Sequence, residues 1–151
     1  MFSYLEPCSE KVLLDIGSGK GTVLLAFLGF NFKEVIGIEH SEYLCRIALS
    51  NLEKIKKTKN NEKEIKIIPE SAMDYQFQDN ENLLYFFNPF DEYMSKRFLT
   101  LILESQVRNK RKISIVSRAW PGEKFISEKL NVRKSETHTF WGKDFKLFEV
   151  Y

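Results

Sequence analysis

Three places in the sequence hold residues whose types and spacing suit chemistry. The first is Asp15 followed by Gly17, Gly19 and Gly21 at alternate positions. Glycine lets the backbone turn sharply and lets a ligand approach without meeting a Cβ, and a carboxylate just before such a turn suits a cationic ligand group. The second is Glu39, an acid 22 residues after Gly17, whose two oxygens can face two donors. The third is Asn88-Pro89-Phe90, which sets an amide, a rigid ring and an aromatic side by side. His40 and His138 are isolated in the sequence. No metal cluster is expected, and no Ser-His-Asp or Cys-His arrangement stands out.

Each of these residues needs an element to hold it. Val12 to Ile16 is a short apolar run of the kind found in a strand buried on both faces. Asp15 lies near its carboxyl end, where an open α/β sheet places its ligands. The glycines then turn into a helix expected over Thr22 to Phe30, nearly all apolar, with backbone N–H groups at its start facing the ligand. Val35, Ile36 and Ile38 make a second buried strand that Glu39 closes. Ser41 suits the N-cap of a helix whose Leu44, Ile47, Ala48, Leu52 and Ile55 share one face. Lys56 to Glu64, centred on Asn60-Asn61, reads as a solvated helix end and loop, with Glu62 and Glu64 breaking its basic run.

Ile65 to Ile68 and Asn82 to Phe87 read as the third and fourth strands. Asp91 is expected to cap the next helix, with Met94, Phe98, Leu101 and Ile102 toward the core. Arg108, Lys110, Arg111 and Lys112 stand near its end, where cations oppose the helix dipole. Ile113 to Ser117 is a fifth strand, broken by Trp120-Pro121-Gly122, with a brief helix over Glu123 to Leu130. Arg133 to Trp141 and Phe145 to Tyr151 alternate as strands, and Gly142-Lys143-Asp144 between them is a hairpin signal.

A chain of 151 residues suits one domain with a single core, so one domain is expected over residues 1–151. With 43% apolar and 29% charged residues, and 13 Phe, 6 Tyr and 2 Trp, the composition argues against disorder. A formal charge of +2 does not by itself point to a nucleic-acid partner. Cys8 and Cys45 are too few for a disulfide framework or a zinc site and read as reduced thiols. No signal peptide or membrane span is visible. A cytoplasmic location without membrane association is expected.

Val12-Leu-Leu-Asp-Ile-Gly-Ser-Gly-Lys-Gly-Thr22 resembles motif I of the class I S-adenosylmethionine-dependent methyltransferases. A nicotinamide dinucleotide fold is the rival, but its G-x-G-x-x-G fingerprint requires glycine where Thr22 stands. The resemblance implies a Rossmann-like α/β sandwich with a mostly parallel seven-stranded sheet and an antiparallel last strand. It implies that Asp15, Gly17, Ser18, Gly19 and Gly21 hold S-adenosyl-L-methionine and that Glu39 grips its ribose hydroxyls. His40, next to Glu39, would then lie close to the ribose.

Where the family often has Gly-Asp-Ala for the adenine, this chain has Ser71 before Ala72, with Asp74 as an alternative one turn on. Asn88-Pro89-Phe90 resembles the Asn-Pro-Pro-aromatic motif of methyltransferases acting on amino nitrogens, one proline short. There the Asn and the first Pro carbonyl accept from the target N–H groups, and the aromatic stacks on a planar target. Asn88 and Phe90 are therefore candidate catalytic residues, and Asn88 also borders the cofactor. The alternative is that Asn88 and Pro89 form a turn and cap, with Phe90 in the core. Members of the family usually carry helices before the first strand, whereas only Met1 to Glu10 stand there. The acceptor side is expected to be open, or covered by another chain or by the acceptor.

The resemblance implies methyl transfer to a nitrogen or oxygen acceptor (protein, RNA or small molecule) by direct displacement. The alternatives are a non-catalytic S-adenosylmethionine-binding module and a nicotinamide-dependent oxidoreductase domain.

Overall fold

Every residue of Val12–Ile16 (β1) is buried, because a strand lies hydrogen-bonded on each side of it and side chains pack above and below. Glu34–Ile38 (β2) pairs with it in parallel on one edge and Leu83–Phe87 (β4) on the other. The computed structural model describes residues 7–59, 64–140 and 142–151. The lead-in before Pro7, the Asn60-Asn61 loop and Trp141 at the end of the first hairpin strand lie outside the described residues.

The remaining strands are Lys66–Ile68 (β3), Ile113–Arg118 (β5), Val132–Phe140 (β6) and Lys143–Val150 (β7). They form one seven-stranded sheet in the order β3-β2-β1-β4-β5-β7-β6. β1 to β5 run parallel, and β7 runs antiparallel to both of its neighbours. The order reverses between β1 and β4, and an open sheet leaves a crevice outside the carboxyl ends of the strands at that point.

Alternation along the strands feeds two cores. Leu14, Ile16, Leu84 and Phe86 face Phe98, Leu99 and Ile102 of Glu92–Arg108 (α3). On that face Phe86 stacks flat on Trp120 with ring centres 4.1 Å apart. Leu13, Val35, Leu83 and Tyr85 face Leu24 and Phe27 of Thr22–Phe27 (α1) and Leu52 of Glu42–Lys59 (α2). The predicted first helix stops three residues early, at Phe27. Gly29, which weakens a helix, lies in a turn where the Phe30 N–H donates back to the Phe27 carbonyl. The brief helix after Trp120 is a 3₁₀ turn, Pro121–Phe125, followed by Ile126–Lys129 (α4).

The basic group at the end of α3 does not act only on the helix dipole. Arg108 forks onto Asp79 with both bonds at 2.9 Å. Lys112 pairs with Glu149. Arg111 donates to the Ser105 and Asn109 carbonyls and to the Glu81 carbonyl. The Glu81 side chain is 0% exposed. Its carboxylate accepts from the Tyr75 hydroxyl and the Gln78 N–H, both at 2.8 Å, and from the Asn80 N–H at 3.2 Å. This buried acid pins the segment that leads from β3 into β4 at the sheet's amino edge.

Removing one partner of such a set strands the others out of water. Glu81→Ala is expected to destabilise the fold by about 3–5 kcal/mol, read by urea unfolding, with Glu81→Gln losing less. A loss below about 1 kcal/mol for Glu81→Ala would mean that solvent already reaches the cluster.

Candidate functional site

The glycine loop is shaped by its neighbours rather than by an open ligand seat. Gly17, Gly19 and Gly21 all have positive φ (73°, 55° and 75°), the left-handed region that glycine enters freely. Close packing holds the loop down. A Cβ on Gly17 would sit 3.1 Å from the Pro89 Cβ, and one on Gly21 would sit 3.0 Å from the Ala48 Cβ. Gly37 inside β2 is needed as well, since a Cβ there would meet Leu24 at 2.7 Å and the Ser18 Oγ at 2.8 Å. An isolated glycine inside a strand signals such an approach, and the Val35-Ile36-Gly37-Ile38 run carried that signal.

The loop amides are already committed. The Gly17 and Ser18 N–H groups both donate to the Ile38 carbonyl at 2.9 Å. The Gly21 N–H donates to the Ser18 carbonyl, and the Gly19 N–H to Glu39 Oε2 at 3.0 Å. The amides of Gly17, Ser18, Gly19 and Gly21 are therefore spent within the protein, and the helix whose starting N–H groups are expected to face a ligand, α1, is short at six residues.

Glu39 is buried at 5% exposure rather than solvated. Its other oxygen, Oε1, accepts from the Ser41 N–H at 2.9 Å, with His40 Nδ1 3.2 Å away. The Cys45 thiol donates to the Glu39 carbonyl at 3.3 Å. A carboxylate offers about four acceptor sites, so these bonds orient Glu39 without exhausting it.

A cleft of 330 Å³ opens beside this loop, lined by Gly17, Ile38, His40, Glu70, Ser71, Ala72, Met73, Pro89, Phe90 and Met94. Gly17, Ser71, Ala72 and Phe90 meet there with His40 and Pro89, whereas Asp15, Ser18, Gly19, Gly21, Glu39 and Asn88 do not line it. The Ser71 hydroxyl accepts from the Met73 N–H at 3.1 Å. Asp74, the alternative to Ser71, is exposed and does not line the cleft. Met73 and Met94 are cleft walls that sequence reasoning missed. Met94 keeps a helical spacing that reads as core, and nothing in its type separates a wall from a core residue.

Phe90 is half-buried. It packs on Phe98 with ring centres 5.4 Å apart while still lining the cleft. It thus takes part in both the core and the site.

Asn88 lies outside that cleft, exposed at the end of β4. Its φ is +47°, and its side chain makes no hydrogen bond to a described residue. Asp91 is the cap of α3, accepting from the Met94 N–H at 2.8 Å, so Asn88 does no capping. Ala119, just past β5, is also left-handed at +49°, a conformation that costs an L residue about 1–2 kcal/mol. The ends of the neighbouring strands β4 and β5 therefore both turn through left-handed backbone, a feature found at ligand clamps and active sites.

Asp15 lies beneath the loop, 3% exposed, and its Oδ2 has no hydrogen-bond partner, nor has the buried Ser18 Oγ. Burial first, and then the charge of Glu39, pushes the Asp15 carboxyl up from its ordinary 3.8 to about 7. An orphaned buried carboxyl beside a second acid is a seat for a positive group. Burial and the Asp15 charge together push the neighbouring Tyr85 hydroxyl up to about 12.

Solved structures share this fold. The magnesium protoporphyrin IX methyltransferase of Synechocystis PCC 6803, solved with bound SAM, matches with a TM-score of 0.64 at 9% identity, over 97% of this chain and 72% of that one. An rRNA methylase of Streptococcus thermophilus matches at 0.62 and 12% identity, over 94% and 87%. A protein of Pyrococcus horikoshii OT3 matches at 0.65 and 13% identity, over 97% and 84%. No protein-family model matches the chain, and no curated protein matches it. The sheet expected from the resemblance, seven-stranded with an antiparallel last strand, is the one found.

The raised carboxyl of Asp15 has a sign that can be checked. Between 3.8 and about 7 the folded chain keeps a proton that the unfolded chain has released. Stability from this group therefore falls as pH rises through that window and is level above it. Asp15→Asn removes the slope. Urea unfolding from about pH 4 to about pH 8 should show the wild type losing ground to the variant as pH rises; parallel curves would put the Asp15 charge in a water-like setting.

Proposed function

We propose that this chain is an S-adenosylmethionine-dependent methyltransferase that moves a methyl group to a nitrogen or oxygen acceptor by direct displacement. The observation that carries the reading is the orphaned, buried Asp15 carboxyl on the strand that runs into the glycine loop, with a cleft beside that loop lined by Gly17, the end of β2 and the Ser71-Ala72 loop. The acids, hydroxyl and apolar walls around it suit a ligand that carries a cation, a ribose and a planar base. Asp15 with Gly17, Ser18, Gly19 and Gly21 would hold the amino-acid end, the part that bears a cation. Glu39 would take the ribose hydroxyls with its spare acceptor sites. Ser71, Ala72 and the apolar walls Ile38 and Met73 would hold the adenine. Phe90, fixed by Phe98, would close the cleft on the side of α3.

When bound, S-adenosylmethionine supplies a methyl carbon already activated by its sulfonium, which leaves the protein the task of aligning acceptor and donor. Asn88 is suited to that task. Its amide is exposed and unspent at the end of β4, the strand next to β1. Its oxygen would accept from an acceptor N–H and turn the lone pair toward the methyl group. One of the neighbours is an rRNA methylase, which keeps RNA among the acceptors this reading allows. The location follows from the same reading: among the described residues no helix is long and apolar enough to cross a membrane, and a cytoplasmic enzyme with reduced Cys8 and Cys45 is proposed.

Two measurements test this. Thermal shift should rise with S-adenosylmethionine or its demethylated product and stay flat with NAD at equal concentration. Glu39→Ala should lower cofactor affinity by about 1.5–3 kcal/mol or more. It should also lower the melting temperature, because Gly19 and Ser41 lose their acceptor. A shift with NAD alone would end the reading.

For Asn88, the informative change is to glycine, which relieves the left-handed strain. Asn88→Gly should keep the melting temperature and the cofactor affinity. Its single-turnover methylation of the responsive cell fraction, with labelled cofactor, should fall on the order of a hundredfold. Wild-type turnover in that variant would remove Asn88 from the mechanism.

A further inference from the structure

The carboxyl end of β5 carries a cation that the cleft does not use. The Arg118 guanidinium lies 4.6 Å from the ring centre of Phe87 and 5.7 Å from that of Phe145. The sheet register sets Arg118 beside Phe87, and the Asn88 N–H donates to the Arg118 carbonyl at 3.2 Å. The cation is therefore one residue from the unspent Asn88 amide.

Arg118 donates to no described acceptor and pairs with no described carboxylate. Arg108 and Arg111, by contrast, spend their N–H groups on Asp79 and on the end of α3. Glu123, an acid on the neighbouring connection, is tied to Ser117 and Lys146. Phe87 is 47% exposed, although it ends a strand whose other four residues are buried. Phe145 is held in place by Phe140, ring centres 6.0 Å apart.

A guanidinium set against aromatic rings keeps its planar edge directed outward. That edge fits a phosphate in a two-bond fork, and the stacking holds the fork in place at little entropic cost. An exposed aromatic face one side chain away accepts any planar base. The same surface is poor for a lysine or arginine acceptor, since it offers a cation and no spare acid.

We propose that Phe87, Arg118 and Phe145 form the acceptor platform, and that the acceptor is an unpaired stretch of nucleic acid. An unstacked base lies on Phe87, and the adjoining phosphate takes the N–H fork of Arg118. A paired duplex does not fit, because stacking already covers the faces of its bases. With 23 Lys and Arg against 21 Asp and Glu, a net charge of only +2, recognition is local, a few nucleotides at the strand ends. The role as acceptor rests on the methyltransferase reading; the binding itself does not.

The test is fluorescence anisotropy with labelled RNA and DNA strands of about twelve nucleotides, each alone and annealed to its complement. Wild type, Arg118→Ala, Arg118→Lys and Phe87→Ala are compared, with melting temperatures recorded for all four. The single strands should bind at least about tenfold more tightly than the duplexes. Arg118→Ala should weaken binding about tenfold and reduce the salt slope by about one. Arg118→Lys should keep most of the salt slope and still lose affinity, since an ammonium cannot fork or stack flat. Phe87→Ala should cost about tenfold.

Equal binding of duplex and single strand, or wild-type affinity in well-folded Arg118→Ala and Phe87→Ala, overturns the proposal. RNA binding without DNA binding assigns the acceptor to RNA, and the reverse assigns it to DNA. Calorimetry with S-adenosylmethionine on the same samples separates the two claims. Cofactor binding without strand binding sinks the platform alone, whereas strand binding without cofactor binding sinks the methyltransferase reading alone.

Discussion

The Glu39 carboxylate ties the site together. One oxygen holds the Gly19 amide and the other holds the Ser41 amide, so a single side chain links the glycine loop, the end of β2 and the start of α2. The Ile38 carbonyl adds two more bonds to the loop, and the Cys45 thiol bonds back to the Glu39 carbonyl. Charge-assisted bonds to backbone amides are among the stronger contacts a protein makes, and here they are nearly dry. The loop's position therefore does not wait for a ligand. The consequence for recognition is that the glycine amides have little left to offer an anion, so the loop serves as a floor, and its specificity comes from the acids around it.

Those acids are in tension. Asp15 and Glu39 are both buried, and only Glu39 has hydrogen-bond partners for both oxygens. Asp15 responds by holding its proton to about pH 7. A ligand bearing a positive charge removes that tension, because an opposite charge favours the ionised carboxyl and offsets its desolvation. A pyrophosphate would add to it. The electrostatics thus agree with the glycine spacing, in which Thr22 stands where a dinucleotide-binding loop needs glycine, and they do so by an independent physical route.

What the sequence made legible follows from range. Val12–Ile16, the glycine turn and the acid at the end of β2 are local patterns, and each element stands where its periodicity put it. The Asp91 cap and the hairpin at Gly142 were legible for the same reason, since each rests on residues only a few apart. Features set by distant partners were not. Nothing near Glu81 shows that Arg111 will donate to its carbonyl from 30 residues away. The basic residues after α3 therefore read as dipole partners, when they are mostly an anchoring network. That the glycine-loop amides are spent was not legible either, because their acceptors, Ile38 and Glu39, lie about 20 residues on. Phe90 was ambiguous between core and site for a structural reason: one face of the ring rests on Phe98 while another lines the cleft.

The two faces of β4 then account for how the chain divides its work. Leu84 and Phe86 point toward α3, where Phe86 is locked flat against Trp120, whose ring nitrogen donates to the Ser95 hydroxyl at 2.8 Å. That contact fixes the end of the strand on the side of the cleft beside the glycine loop. Tyr85 and Phe87 point the other way, and the second of them emerges from the core into solvent beside Arg118. Asn88 follows at once and turns left-handed, which swings the chain from the open face back across the strand end to Pro89, packed on Gly17. Asn88 is thus the pivot between the cleft beside the glycine loop and an open, cation-bearing surface. The Asn88 amide at that pivot stands exposed between the surface around Phe87 and the cleft that begins at Pro89.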